Sequence, residues 1–77
     1  MAIHYFHCTD GIDMVIDETG RETSSAAEMS SHARSVAAGL MRAVPAYREW
    51  WNWSVHVYDE FGAVDIFDFP TDRRQAA

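Results

Sequence analysis

Two histidines and the only cysteine, His4, His7 and Cys8, fall within a few positions of the N-terminus, and the carboxylates of Asp10, Asp13, Asp17 and Glu18 follow closely. His32 and His56 lie farther along. Three chemistries use such residues. A structural zinc ion takes about four convergent nitrogen or sulfur ligands, commonly as two closely spaced pairs. On a strand, His4 and Cys8 share one face while His7 points to the other, and no second Cys or His pair follows. Strand histidines on an exposed face account for the same letters. A nucleophilic Cys8 would need a base from His4, His7 or His56. No local signature accompanies it, and a small cysteine packed under a helix is the simpler expectation. An EF-hand calcium loop alternates its ligands over about twelve residues. Here Met14, Val15 and Ile16 occupy the middle of the acidic stretch. Asp10, Asp17 and Asp59 therefore read as turn residues. The sequence assigns no catalytic residue, no metal ligand and no cofactor.

The elements that would hold these side chains follow from periodicity. IHYFHCT is a strand, with Ile3, Tyr5 and His7 on one face and His4, Phe6 and Cys8 on the other. Asp10-Gly11 marks a tight turn into a short second strand, DMVID. The DETG turn, Asp17 to Gly20, then leads toward a helix. Ser25 and Glu28 have capping-box spacing. Met29, Ala33, Val36, Leu40 and Val44 form one apolar stripe, and Pro45 ends the helix.

The last hairpin, WSVHVYDEFGAVDIFDF, turns at Asp59-Glu60-Phe61-Gly62. A register pairing Tyr58 with Ala63 places Val57 against Val64 and Val55 against Ile66. His56 then faces Asp65 on the opposite side. A carboxylate there would favour the protonated imidazole. As a cross-strand polar pair on a solvated face it contributes about 0.2–1 kcal/mol and requires no function. The order strand-strand-helix-strand-strand, with the first and third strands paired centrally, gives one antiparallel sheet with a single helix on one face. That is an α+β two-layer sandwich. It spans residues 1–70, and 71–77 read as a disordered tail.

The motifs YFHCTDG, DETGRE, an alanine-rich helix and VHVYDEFGAV together resemble a family of short bacterial domains of unknown function. Its members run from a Tyr-Phe strand and an Asp-Gly turn, through an Asp-Glu-x-Gly turn and a helix with spaced alanines, to a closing hairpin with a second Asp-Glu-x-Gly turn. The likeness covers residues 4 to 67. AYREWWNW, and TSS ahead of the helix, depart from the family pattern. The resemblance implies the fold and no activity. More distantly, the strand, DG turn and alanine-rich helix resemble HicB-like antitoxins, which would imply an acidic partner for a basic protein.

Composition sets the remaining bounds. At 77 residues the chain is one domain, and domains this small bury roughly 60% of their unfolded surface, so association is a common supplement to stability. The net charge of −6, with every basic residue an arginine, disfavours nucleic acid and anionic membranes. No apolar run is long enough to span a bilayer, and the N-terminus lacks a secretory pattern, so a cytoplasmic location is expected. A one-helix sheet cannot hide every aromatic ring. Tyr5, Tyr58 and Phe67 are expected on its open face, with Trp50, Trp51 and Trp53 near its end. Exposed aromatic area of this kind marks an interface, the alternative being that the tryptophans fold back to close the core. The sequence thus leads to a non-catalytic interaction module, a homodimer or the partner of another protein. A small metal-binding protein or enzyme using the His and Cys residues is the competing class.

Overall fold

The computed structural model describes residues 2–47 and 49–71. Most of the expected 71–77 tail, residues 72–77, lies outside them. β1 (Ala2–Thr9) is followed by β2 (Met14–Val15), β3 (Arg21–Thr23), α1 (Ala26–Ala43), a 3-10 turn (Trp50–Asn52), β4 (Ser54–Asp59) and β5 (Gly62–Asp68). Among the described residues, five strands form one antiparallel sheet in the order β2-β1-β4-β5, with β3 also paired to β1. The α+β architecture and the central pairing of β1 with β4 match expectation. The chain after Asp17 does not. The Asp17–Gly20 turn returns the chain to β1, where β3 pairs Ala2 with Thr23, Ile3 with Glu22 and His4 with Arg21. β2 pairs only Cys8 with Val15 and Thr9 with Met14. The outer edge of β1 therefore carries one strand broken in two.

α1 begins as its sequence requires, with Ser25 Oγ accepting the Glu28 N–H at 3.1 Å. The glutamate reaches back one residue farther than a capping box, accepting from both the N–H and the hydroxyl of Ser24. The helix closes on the sheet through Ala33 and Ala37, which are fully buried. Their small side chains let the helix backbone come close to Phe6, Cys8, Val55 and Val57, the buried side chains of the two central strands. Met29, Val36, Leu40 and Met41 pack around this contact. Val44, the last residue of the expected stripe, is exposed because the helix has already ended at Ala43.

The final hairpin departs from a regular register. Tyr58 pairs with Ala63 as anticipated, but the ladder then shifts, so that Val57 pairs with Asp65, His56 with Ile66 and Val55 with Phe67. Val64 is the extra residue of a β-bulge. An inserted residue inverts which side chains face the core. Phe67, expected on the open face, packs against the core under the helix, while Val64 and Ile66 are turned out to solvent. The expected His56–Asp65 pair is not formed across the strands, for the same reason.

The connector tryptophans complete the core. Trp53, 7% exposed, directly precedes β4, and Phe69 directly follows β5, its N–H bonded to the Trp53 carbonyl at 3.1 Å. Trp50 stacks on Phe69 with centroids 5.6 Å apart and meets Trp53 at 5.3 Å. Tyr47 takes the Trp53 indole N–H on its hydroxyl at 3.2 Å. Trp53 is therefore a core residue, half-buried Trp50 packs against the core, and Trp51 is the exposed member of the three.

Candidate functional site

The residues that suggested metal or nucleophilic chemistry are dispersed among separate structural contacts. His4 is buried on the helix side, with Nδ1 2.7 Å from Thr23 Oγ1. His7 is on the opposite face and accepts the Asp17 N–H on Nδ1 at 3.0 Å. His56 Nε2 lies 3.1 Å from Ser54 Oγ. His32 sits on the helix and meets Phe6 edge-on, with centroids 4.6 Å apart. Cys8 is 1% exposed, and burial, reinforced by the Asp17 charge, pushes its thiol up to about 11. Such a thiol carries little thiolate at neutral pH. Among the described residues, no three His, Cys, Asp or Glu side chains converge as a metal site.

The acidic residues do turn work. Asp10 Oδ1 accepts the N–H groups of Ile12 and Asp13, and these hydrogen bonds hold its carboxyl below the ordinary range. Asp59 Oδ1 accepts the Phe61 N–H at 2.8 Å. Asp13 and Glu18 are exposed.

Asp17 does more than make a turn. Its Oδ2 accepts the Phe6 N–H at 3.0 Å, in the stretch of β1 that neither β2 nor β3 covers. Its Oδ1 accepts the N–H groups of Thr19 and Gly20 at 3.0 and 3.1 Å. The side chain thus takes the place of the missing strand residue. Burial would raise this carboxyl, but the N–H donors of Gly20, Phe6 and Thr19, helped by His7, outweigh it and hold it below its ordinary value. Gly20 closes the clasp with φ +77°, and a Cβ there would lie 2.7 Å from Ile3 and 2.9 Å from Tyr5. The Asp17–His7 bond leaves the proton of a neutral His7 on Nε2.

Two surfaces result. The first is the sheet face opposite the helix. Tyr5 pairs with Tyr58 and His7 with His56, which places four half-buried rings together at its centre. The His7 and Tyr58 centroids are 5.4 Å apart, and those of Tyr5 and His7 6.5 Å. Exposed Ile3 and Ile66 flank them. Glu22, opposite Ile3, and Asp68, opposite Ser54, stand at the margins. The second is a groove on the helix side, where the broken edge leaves α1 partly uncovered. It is a cavity of about 500 Å³ with Phe6 and Cys8 among its lining and Val15, Ile16, Val36 and Leu40 around them. Arg21, His32 and Ser35 also border an adjoining hollow of about 380 Å³.

The turns, the alanine helix and the paired hairpins fall within a match, over residues 3–66, to a family described as a domain of unknown function, DUF6894. The chain belongs to this family. The DUF6894 match includes the Asp17 clasp, the groove and most of the open face. It stops short of Phe67 and Phe69, which seal the core from beyond β5's exposed Ile66. The HicB-like resemblance finds no support in this match. No curated protein and no solved structure matches the chain. Sequence reading placed Tyr5 and Tyr58 on the open face. It missed His7 and Ile66 as their neighbours, although the alternation of β1 already set His7 beside Tyr5.

Proposed function

We propose that this DUF6894 domain is a non-catalytic interaction module that pairs with a second copy of itself through the open sheet face. The observation that carries the reading is the ring cluster Tyr5, His7, His56 and Tyr58, which no other layer of the described residues covers. Its centre holds no carboxylate, on a chain whose net charge is −6. A like-charged copy meets least repulsion through such a neutral patch, and an isologous two-fold contact lets each patch meet its equal. Tyrosine is also enriched at interface centres. The free edge of β5 is a poorer surface, because the Ile66 N–H is already bonded to Asp65 Oδ1 at 2.8 Å and the bulge twists the strand. The elevated Cys8 thiol argues against covalent chemistry at the one cysteine. A cytoplasmic setting and the absence of nucleic-acid or membrane partners belong to the same reading. Among the described residues no helix is long and apolar enough to cross a membrane.

Light scattering on a sizing column across a concentration series tests this reading. The wild type is expected as a dimer at micromolar concentration, and Tyr58→Glu as a monomer with an unchanged circular dichroism spectrum. A wild type that stays monomeric at every concentration, or a Tyr58→Glu variant that is still dimeric, would refute it.

A further inference from the structure

The groove on the helix side has a chemical character distinct from the open face. One end is apolar, with Val15, Ile16, Val36 and Leu40 beside the buried Phe6 and Cys8. At the other stands Arg21, whose pairing with His4 directs it to the helix side of the sheet. Among the described residues no hydrogen bond or ion pair engages this guanidinium. Of the nearby carboxylates, Asp17 is committed elsewhere, while Glu28 feels the Arg21 charge across the hollow that both line. Both oxygens of Asp17 accept backbone N–H groups, and Glu28 Oε1 is held by Ser24. Ser31, His32 and Ser35 add polar groups on the same side of α1. From His32 to Leu40 the helix advances about 12 Å, enough for an extended small molecule to lie along it. Gly39 lines the groove with nothing within 4 Å of where a Cβ would stand, so the helix leaves this space open.

We propose that the groove is a binding site for a small amphipathic anion, an alkyl or aryl carboxylate, with its apolar part against Ile16, Val36 and Leu40 and its carboxylate on Arg21. A guanidinium with no hydrogen-bonded partner beside an apolar slot is suited to such a ligand, because the planar fork binds a carboxylate through two parallel hydrogen bonds. Sites for small molecules combine a mostly apolar lining with a few convergent polar groups.

Octanoate is the probe, with octanol and octylammonium as neutral and cationic counterparts, each titrated below its self-association limit and followed by amide chemical shifts. The expected result is saturable shifts at Ile16, Arg21, His32 and Gly39 with octanoate, and weaker or absent shifts with the other two. Arg21→Gln should weaken octanoate about tenfold or more, the loss that one charged contact represents. Gly39→Leu fills the slot from a half-buried helix position with nothing within 4 Å of its Cβ, and should abolish binding while the fold is retained. The same binding should persist in Tyr58→Glu, which separates this site from the pairing face. Three results would overturn the proposal: no saturable shift at millimolar octanoate, equal affinity in Arg21→Gln and Gly39→Leu, or shifts centred on Tyr5 and Tyr58. Groove amides that respond to protein concentration and not to octanoate would assign the slot to a second copy of the chain instead.

Discussion

Replacing Asp17 by asparagine removes one acceptor oxygen and changes almost nothing in shape. The carboxylate serves Phe6 with Oδ2 and both Thr19 and Gly20 with Oδ1. A carboxamide has one oxygen, so whichever way it turns, its NH₂ faces an N–H that it cannot accept. Hydrogen bonds to a charged group contribute about 1.5–3 kcal/mol each, and because Asp17 is half-buried the lower end applies, giving a loss of roughly 1.5 kcal/mol. Asp17→Ala abandons all three donors and should cost about 3 kcal/mol, much of the stability a domain of this size possesses. The sign with pH follows from the lowered carboxyl. Its contribution is complete above the unfolded value of 3.8 and is lost as pH falls through the lower native value. Urea denaturation followed by tryptophan fluorescence, at about pH 7 and about pH 3 in both proteins, measures the difference. Asp10 and Glu28 titrate in both proteins and cancel. The gap between wild type and Asp17→Asn should be wide at neutral pH and narrow in acid, with faster exchange of the Phe6 amide in the variant. Equal stability at neutral pH, or a gap that is unchanged in acid, would refute the clasp.

Gly20→Ala should destabilise by about 2 kcal/mol or more, since it adds a strained φ to a collision with Ile3 and Tyr5, and a thermal melt reads it directly. An unchanged midpoint would show that the turn relaxes freely. Cys8 should react with a thiol reagent only as fast as the protein opens, so that denaturant accelerates it strongly, and rapid reaction in the native state would contradict its burial.

The helix was legible because a serine cap, an apolar stripe and a proline stop agree with one another. The turn of the last hairpin was legible because its glycine fixes the pairing of Tyr58 with Ala63. What followed that turn was not. VDIFD alternates as well for a regular strand as for one carrying an extra Val64, and the choice rests on Phe67 fitting beneath the helix. β3 is three residues long, too short for any period to show. The roles of Trp50 and Trp53 depend on Phe69, whose meeting with them across the sheet no local pattern announces. Asp17 was recognisable as a turn residue, but its bond to Phe6 spans eleven positions and belongs to the tertiary fold.

The broken outer edge of β1 bears on how such molecules behave when crowded. An intact edge is a template that can recruit strand after strand without limit. Here the Asp17–Gly20 turn interrupts one side, using a carboxylate to occupy the Phe6 N–H that an incoming strand would need. On the far side, Asp65 occupies the Ile66 N–H next to the bulge. Growth in the plane of the sheet is obstructed in both directions, while its flat side stays open. In the proposed pairing, contact across that side would be spent once two copies meet, so the assembly would close at a pair and not lengthen into a fibre.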